Sequence, residues 1–128
     1  MSFMSLLRFC VVGATATSLQ YLVMAALLLS ELSSPLYASA IGFTVSAAYN
    51  YWANARFTFG GNFNHVRSLP RFLITALSGL LLNQVVLAIG LQMGLALIVG
   101  QLLATACVFT WNYIVNAVWS FSPRSKKI

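Results

Sequence analysis

The run FLITALSGLLLNQVVLAIGLQMGLALIVGQLLATACVFTWNYIVNAVWSFSP, from Phe72 to Pro123, extends 52 residues without a charged side chain. As one helix rising about 1.5 Å per residue it would reach about 78 Å, against a bilayer core about 30 Å thick. The run must therefore fold back, and Gly90-Leu91-Gln92-Met93-Gly94 is the predicted turn. Two more uncharged runs precede it, Phe9 to Ser30 and Leu32 to Ala55. The chain is 60% hydrophobic and 6% charged. A soluble domain is about a quarter charged, so a chain of this composition has lipid as its solvent. The runs are continuous and do not alternate, which argues against a β-barrel. The predicted fold class is all-α: a polytopic membrane protein with four transmembrane helices, at about 9–30, 36–55, 72–91 and 95–119.

The basic residues set the expected orientation. Arg8 precedes helix 1, Arg56, Arg67 and Arg71 lie between helices 2 and 3, and Arg124, Lys126 and Lys127 follow helix 4. All seven fall on one side, and the other side carries only Glu31. The positive-inside rule makes both termini and the middle loop cytoplasmic. Trp52, Trp111, Trp119, Phe57, Phe59 and Phe121 gather at the same ends, where an aromatic belt sits. The net charge of +6 is thus a topology signal with a modest attraction for anionic headgroups, not a nucleic-acid footprint. The first apolar run is long enough to span and belongs to a repeat, so it is not read as a cleavable signal. Cys10 and Cys107 are read as apolar fillers, without a disulfide or a metal.

The repeat is explicit. Asn50-Tyr51-Trp52-Ala53-Asn54-Ala55-Arg56-Phe57-Thr58-Phe59 returns 62 positions later as Asn112-Tyr113-Ile114-Val115-Asn116-Ala117-Val118-Trp119-Ser120-Phe121. Arg8-Phe9 and Arg71-Phe72 likewise open the two halves. One membrane domain, 1–128, is expected as two parallel repeated helical hairpins, about 1–62 and 63–128, related by an axis along the membrane normal. In the loop at 57–70, Gly60-Gly61 is expected to break helix 2, with Pro70 just before helix 3. Phe63, Val66 and Leu69 alternate with polar residues, which fits either a short interfacial helix or an ordinary basic loop.

Polar residues inside a bilayer are costly and face protein or a wet cavity. Gly42, Ser46, Asn50 and Asn54 share one face of helix 2, and Gln101, Thr105, Asn112 and Asn116 one face of helix 4. Helix 1 carries Gly13, Thr17, Gln20 and Met24, and helix 3 carries Thr75, Gly79 and Asn83 with Gln84 beside them. Gln20 and Asn83 each follow an arginine by twelve residues, about 18 Å along a helix and near the midplane. Amides and small residues glue membrane helices together. Amides also bind sugar hydroxyls, so Gln20, Asn50, Asn54, Asn83, Gln84, Asn112 and Asn116 are candidate sugar or headgroup contacts. Arg8, Arg56 and Arg71 offer forks of donors suited to a lipid phosphate, besides marking topology. Arg56 stands out because its counterpart in the repeat is Val118.

One acidic residue and one histidine build no carboxylate pair, triad or metal site, and no phosphate-cradling glycine loop is present. Catalytic residues, metal and cofactor are therefore expected to be none, and the chain is read as not an enzyme. A proton-coupled multidrug exporter would need a carboxylate within a span, and there is none here.

Arg8-Phe9 followed by Gly13, then four spans, then Asn54-Ala55-Arg56-Phe57-Thr58-Phe59, resembles the GtrA-like family of small membrane proteins over about residues 5–122. Asn116-Ala117-Val118-Trp119-Ser120-Phe121 is a partial echo of the same element. The resemblance implies translocation of a polyprenyl-phosphate-linked sugar across the inner membrane for cell-surface polysaccharide synthesis or modification. The alternative it implies is a non-transporting membrane partner that anchors or positions a glycosyltransferase. The family often has a basic residue directly after the asparagine, where this chain has Ala55 and Ala117; that leaves Arg56 as the main phosphate candidate. Expected partners are a lipid-linked sugar, a glycosyltransferase, membrane lipids and further copies of the chain in a homo-oligomer, since four short helices make a poor pore alone.

Overall fold

The computed structural model describes residues 3–58 and 65–115. These form four α-helices, α1 (Phe3–Leu29), α2 (Pro35–Ala53), α3 (His65–Gln92) and α4 (Leu97–Val115), with a π-helical turn over Asn54–Thr58 after α2. The chain is an all-α polytopic membrane protein. Leu6–Leu29, Leu69–Gln92 and Leu97–Val115 are long and apolar enough to cross a bilayer. The other helix, α2, matches α4 at 19 residues, but Ser39, Thr44, Ser46, Asn50 and its tyrosines dilute its apolar content.

Burial explains why these helices pair in lipid. Most large apolar side chains point outward, among them Leu22, Leu77, Leu81 and Phe109, with Leu87 and Met24 as buried exceptions. The buried positions are mostly small or polar: Ala16, Ala38, Ser39, Gly42, Ser46, Asn83, Gln101 and Ala104. Lipid tails solvate leucine as well as another helix does, so association rests on close backbone approach and hydrogen bonds.

The chain divides into two compact units, Met1–Leu73 and Ile74–Ile128, with the boundary inside α3. The first holds α1, α2, the π turn and the start of α3; the second holds the rest of α3 with α4. In each, the same device ends the first helix. Glu31 N–H donates to Leu28 O and Leu32 N–H to Leu27 O, while Gly94 N–H donates to Leu91 O and Leu95 N–H to Gly90 O. These are Schellman stops, with Glu31 (φ 57°) and Gly94 (φ 85°) in the left-handed position. They lie 63 positions apart, whereas the motif asparagines lie 62 apart. The turns account for the difference, since residues 30–34 join α1 to α2 and one residue fewer, 93–96, joins α3 to α4.

Several boundaries differ from those expected. The first helix begins at Phe3, because Phe3 to Leu7 extend the apolar helical run, so Arg8 sits within it. The third begins at His65 and carries Pro70 inside it. Proline there forgoes a single backbone bond, to the Val66 carbonyl, just past a first turn whose N–H groups have no helical partner in any case. Residues 65–70 are therefore helix and not loop. The second helix leaves α geometry at Asn54, before Ala55. Residues 59–64 and 116–128 lie outside the described residues, and with them Gly60-Gly61, Asn116 and the basic residues beyond position 123.

Candidate functional site

Arg8 and Arg56 lie at the same end of the α1–α2 hairpin, because α1 starts there and α2 returns to it. The π turn packs against α1 as well as continuing α2. A π turn holds one more residue per turn than the α-helix around it, and such turns often occur at functional sites. This one spans Asn-Ala-Arg-Phe-Thr, the core of the repeated motif. Asn54 N–H is shared between the carbonyls of Asn50 and Tyr51, and Asn54 Nδ2 donates to Asn50 Oδ1 at 2.6 Å. Asn54 and Ala55 are buried, and Arg56 emerges exposed.

The Arg56 guanidinium lies over the Trp52 indole, 6.0 Å from the ring centroid. Trp52 is itself half exposed and tilts against Tyr49. A guanidinium over an aromatic face keeps the in-plane N–H donors at its edges available to an anion. The chain's single acidic side chain, Glu31, belongs to the opposite end of this hairpin, so it cannot neutralise Arg56. Arg8 is exposed and Arg71 half-buried. Phe72, next to Arg71, packs on Tyr51 with ring centroids 4.9 Å apart, which sets the start of α3 beside the last turn of α2. The first unit thus contains all three candidate arginines.

The amides fall into three environments. In the second unit Asn83 and Gln101 are almost fully buried, and Gln101 Nε2 donates to Asn83 Oδ1 at 3.1 Å. Asn83 Nδ2 donates on to Gln84 Oε1 at 3.0 Å, and Gln101 Nε2 also reaches Thr105 Oγ1 at 3.3 Å. In the first unit Gln20, 63 positions before Asn83, is 94% buried, and its carboxamide nitrogen has no partner. Near the motif, Asn50 and Asn112 are half-buried, and Asn112 Oδ1 is enclosed without a partner.

Two interactions were missed in the sequence. Gln101 reads there as one member of a polar stripe, yet it closes the Asn83 pair. The second is a clasp present in both units. Thr15 Oγ1 and Tyr49 OH share a hydrogen bond at 2.9 Å, and Trp111 Nε1 donates to Ser78 Oγ at 2.8 Å. Thr15 and Ser78 are 63 apart, Tyr49 and Trp111 62 apart, the same offsets as the helix stops and the motifs. Chemistry is kept while residue type changes, so only the offset gives it away. Cys10 and Cys107 are exposed free thiols.

A hairpin-built membrane domain with buried amides, an exposed arginine on a tryptophan and a motif-centred π turn defines a class of small polytopic helical proteins. The family model described as GtrA/DPMS, transmembrane domain, matches residues 8–121, and the chain belongs to that family. Membership supports a membrane role connected with polyprenyl-linked sugars, in a family generally of non-enzymatic membrane proteins. No curated protein and no solved structure matches the chain.

Proposed function

We propose that this protein flips a polyprenyl-phosphate-linked sugar between the leaflets of the cell inner membrane for cell-surface polysaccharide synthesis or modification, without itself being an enzyme. The observation that carries the reading is Arg56, exposed on Trp52 at the end of α2 and out of reach of the only acidic side chain. Both termini and this arginine face the cytoplasm in the reading, following the charge bias. The lipid phosphate engages Arg56, with Arg8 and Arg71 adding positive charge in the same unit. Charge-assisted bonds from a planar fork suit phosphate oxygens. The amides Gln20, Asn50, Asn54, Asn112 and Asn116 supply hydrogen-bonding groups for the sugar, whereas Asn83 and Gln84 are already engaged with Gln101 and with each other. The polyprenyl tail stays in lipid against the apolar outer surface. A homo-oligomer completes the path, and a glycosyltransferase supplies or uses the cargo.

Lipids extracted from protein purified in mild detergent test this reading. Wild-type protein is expected to carry polyprenyl-phosphate sugar, and Arg56→Ala to lose most of it while keeping bulk phospholipid. Equal retention by Arg56→Ala removes the phosphate site. Enrichment of a glycosyltransferase with no such lipid would favour the anchoring role instead.

A further inference from the structure

The two units share the Schellman stops, the hydroxyl–aromatic clasps and the motif, yet differ deep between their helices. In the second, the Asn83 amide is closed by Gln101 from the facing helix. In the first, Gln20 takes the place of Asn83, and Ser39, 62 positions before Gln101, takes the place of Gln101. Ser39 is fully buried, but its side chain is much shorter. The Gln20 nitrogen is left as an enclosed donor without an acceptor. Among the described residues Gln20 Nε2 is the donor left over and Asn112 Oδ1 the acceptor. Buried polar groups are nearly always satisfied, and each exception calls for a reason. Packing does not supply one, because a methionine would fill the same volume without a polar group.

Resting on the proposed translocation, we infer that the α1–α2 hairpin is the half that reads the sugar, through a hydroxyl accepting a hydrogen bond from Gln20 Nε2, while the Asn83–Gln101 pair is a fixed latch. The surroundings fit a site that opens. Gly42 lies so close to α1 that an added Cβ would stand 2.7 Å from the Gln20 carbonyl oxygen and 3.1 Å from its Cγ. Gly42 faces the Gln20 backbone and stem and the flexible Met24 side chain, whose Cγ an added Cβ would approach to 3.2 Å. Ser46 Oγ donates to Ala16 O at 2.7 Å one turn nearer the arginines, and with the Thr15–Tyr49 clasp it holds that end together while the region of Gln20 parts. A hydroxyl entering there gains a donor that nothing among the described residues satisfies. In the second unit the equivalent donor, Asn83 Nδ2, is already taken by Gln84 Oε1, and Asn83 Oδ1 accepts from Gln101 Nε2.

Full-length protein in nanodiscs, titrated with undecaprenyl phosphate and with its glucosyl, galactosyl and mannosyl derivatives, tests this. Wild type is expected to hold its preferred glycosyl lipid about tenfold more tightly than the bare phosphate, the order of one net hydrogen bond. Gln20→Met is expected to bring that ratio close to one without lowering the thermal midpoint. Asn83→Leu is expected to lower the midpoint and keep the ratio. If Gln20→Met loses stability and keeps the ratio, Gln20 is scaffold and the inference fails. A wild-type ratio of one with tight binding of the bare phosphate also overturns it, leaving the phosphate site standing. Binding of none of the lipids overturns the proposed function and the inference together.

Discussion

Asn83 and Gln101 show what one buried amide is worth when a second meets it. Each is about 1% exposed, and the 3.1 Å bond between them is enclosed. Removing either takes a buried hydrogen bond from its partner, although Asn83 keeps Gln84 and Gln101 keeps Thr105. Across membrane helices such pairs contribute on the order of 1 kcal/mol, less than in vacuum reasoning, because the unfolded chain also finds partners. Asn83→Leu and Gln101→Leu are each expected to destabilise the protein, and the double variant to cost less than their sum. Thermal unfolding in detergent, read as a double-mutant cycle, checks this. Strict additivity would mean the bond carries no coupling. The sequence set Asn83 about 18 Å along its helix from Arg71 as a candidate interior amide, and the structure buries it. It did not show that Gln101 meets Asn83, because that depends on how two helices are turned toward each other. Periodicity on one helix does not fix that angle.

Among the elements, the α1–α2 hairpin owes its closeness to Gly42. The small-residue face of α2 was legible as a four-residue spacing, and Gly42 and Ser46 are indeed buried on it. Its reason was not legible, since no pattern reveals that the Gln20 backbone lies opposite. Gly42→Ala drives a methyl into a backbone oxygen that cannot rotate away. Helices must separate, and overpacking of this kind costs roughly 1–3 kcal/mol. Gly13→Ala meets nothing within 4 Å and is expected to be neutral or to stabilise α1 by about 0.5–1 kcal/mol through helix propensity. Unfolding midpoints of the two variants should therefore move apart, and a Gly42→Ala protein as stable as wild type would refute the tight crossing. The π turn escaped sequence reasoning because Asn-Ala-Arg-Phe-Thr has no breaker that announces it. The shared Asn54 N–H is visible only in the folded backbone.

For the whole molecule, lipid as solvent and the helices were legible from charge and length, because those depend on sums over many residues, and the doubled plan was legible from the repeated motif. Helix ends were less so. Pro70 looked like a start signal, and the helix runs through it. The asymmetry between the halves was visible first as Arg56 against Val118 and became physical in two places, the Arg56–Trp52 stack and the unsatisfied Gln20. Both belong to the first unit. Under the proposed function, a half that binds and a half that braces is the arrangement expected of a duplicated hairpin whose copies have diverged. The most direct measurement is leaflet transfer in sealed liposomes containing only purified protein and a fluorescent polyprenyl-phosphate hexose. Inner-leaflet lipid should become accessible to an external quencher much faster than in protein-free vesicles, and Arg56→Ala should return the rate to that baseline. Transfer at the protein-free rate with every hexose supplied, by folded wild-type protein, would contradict translocation.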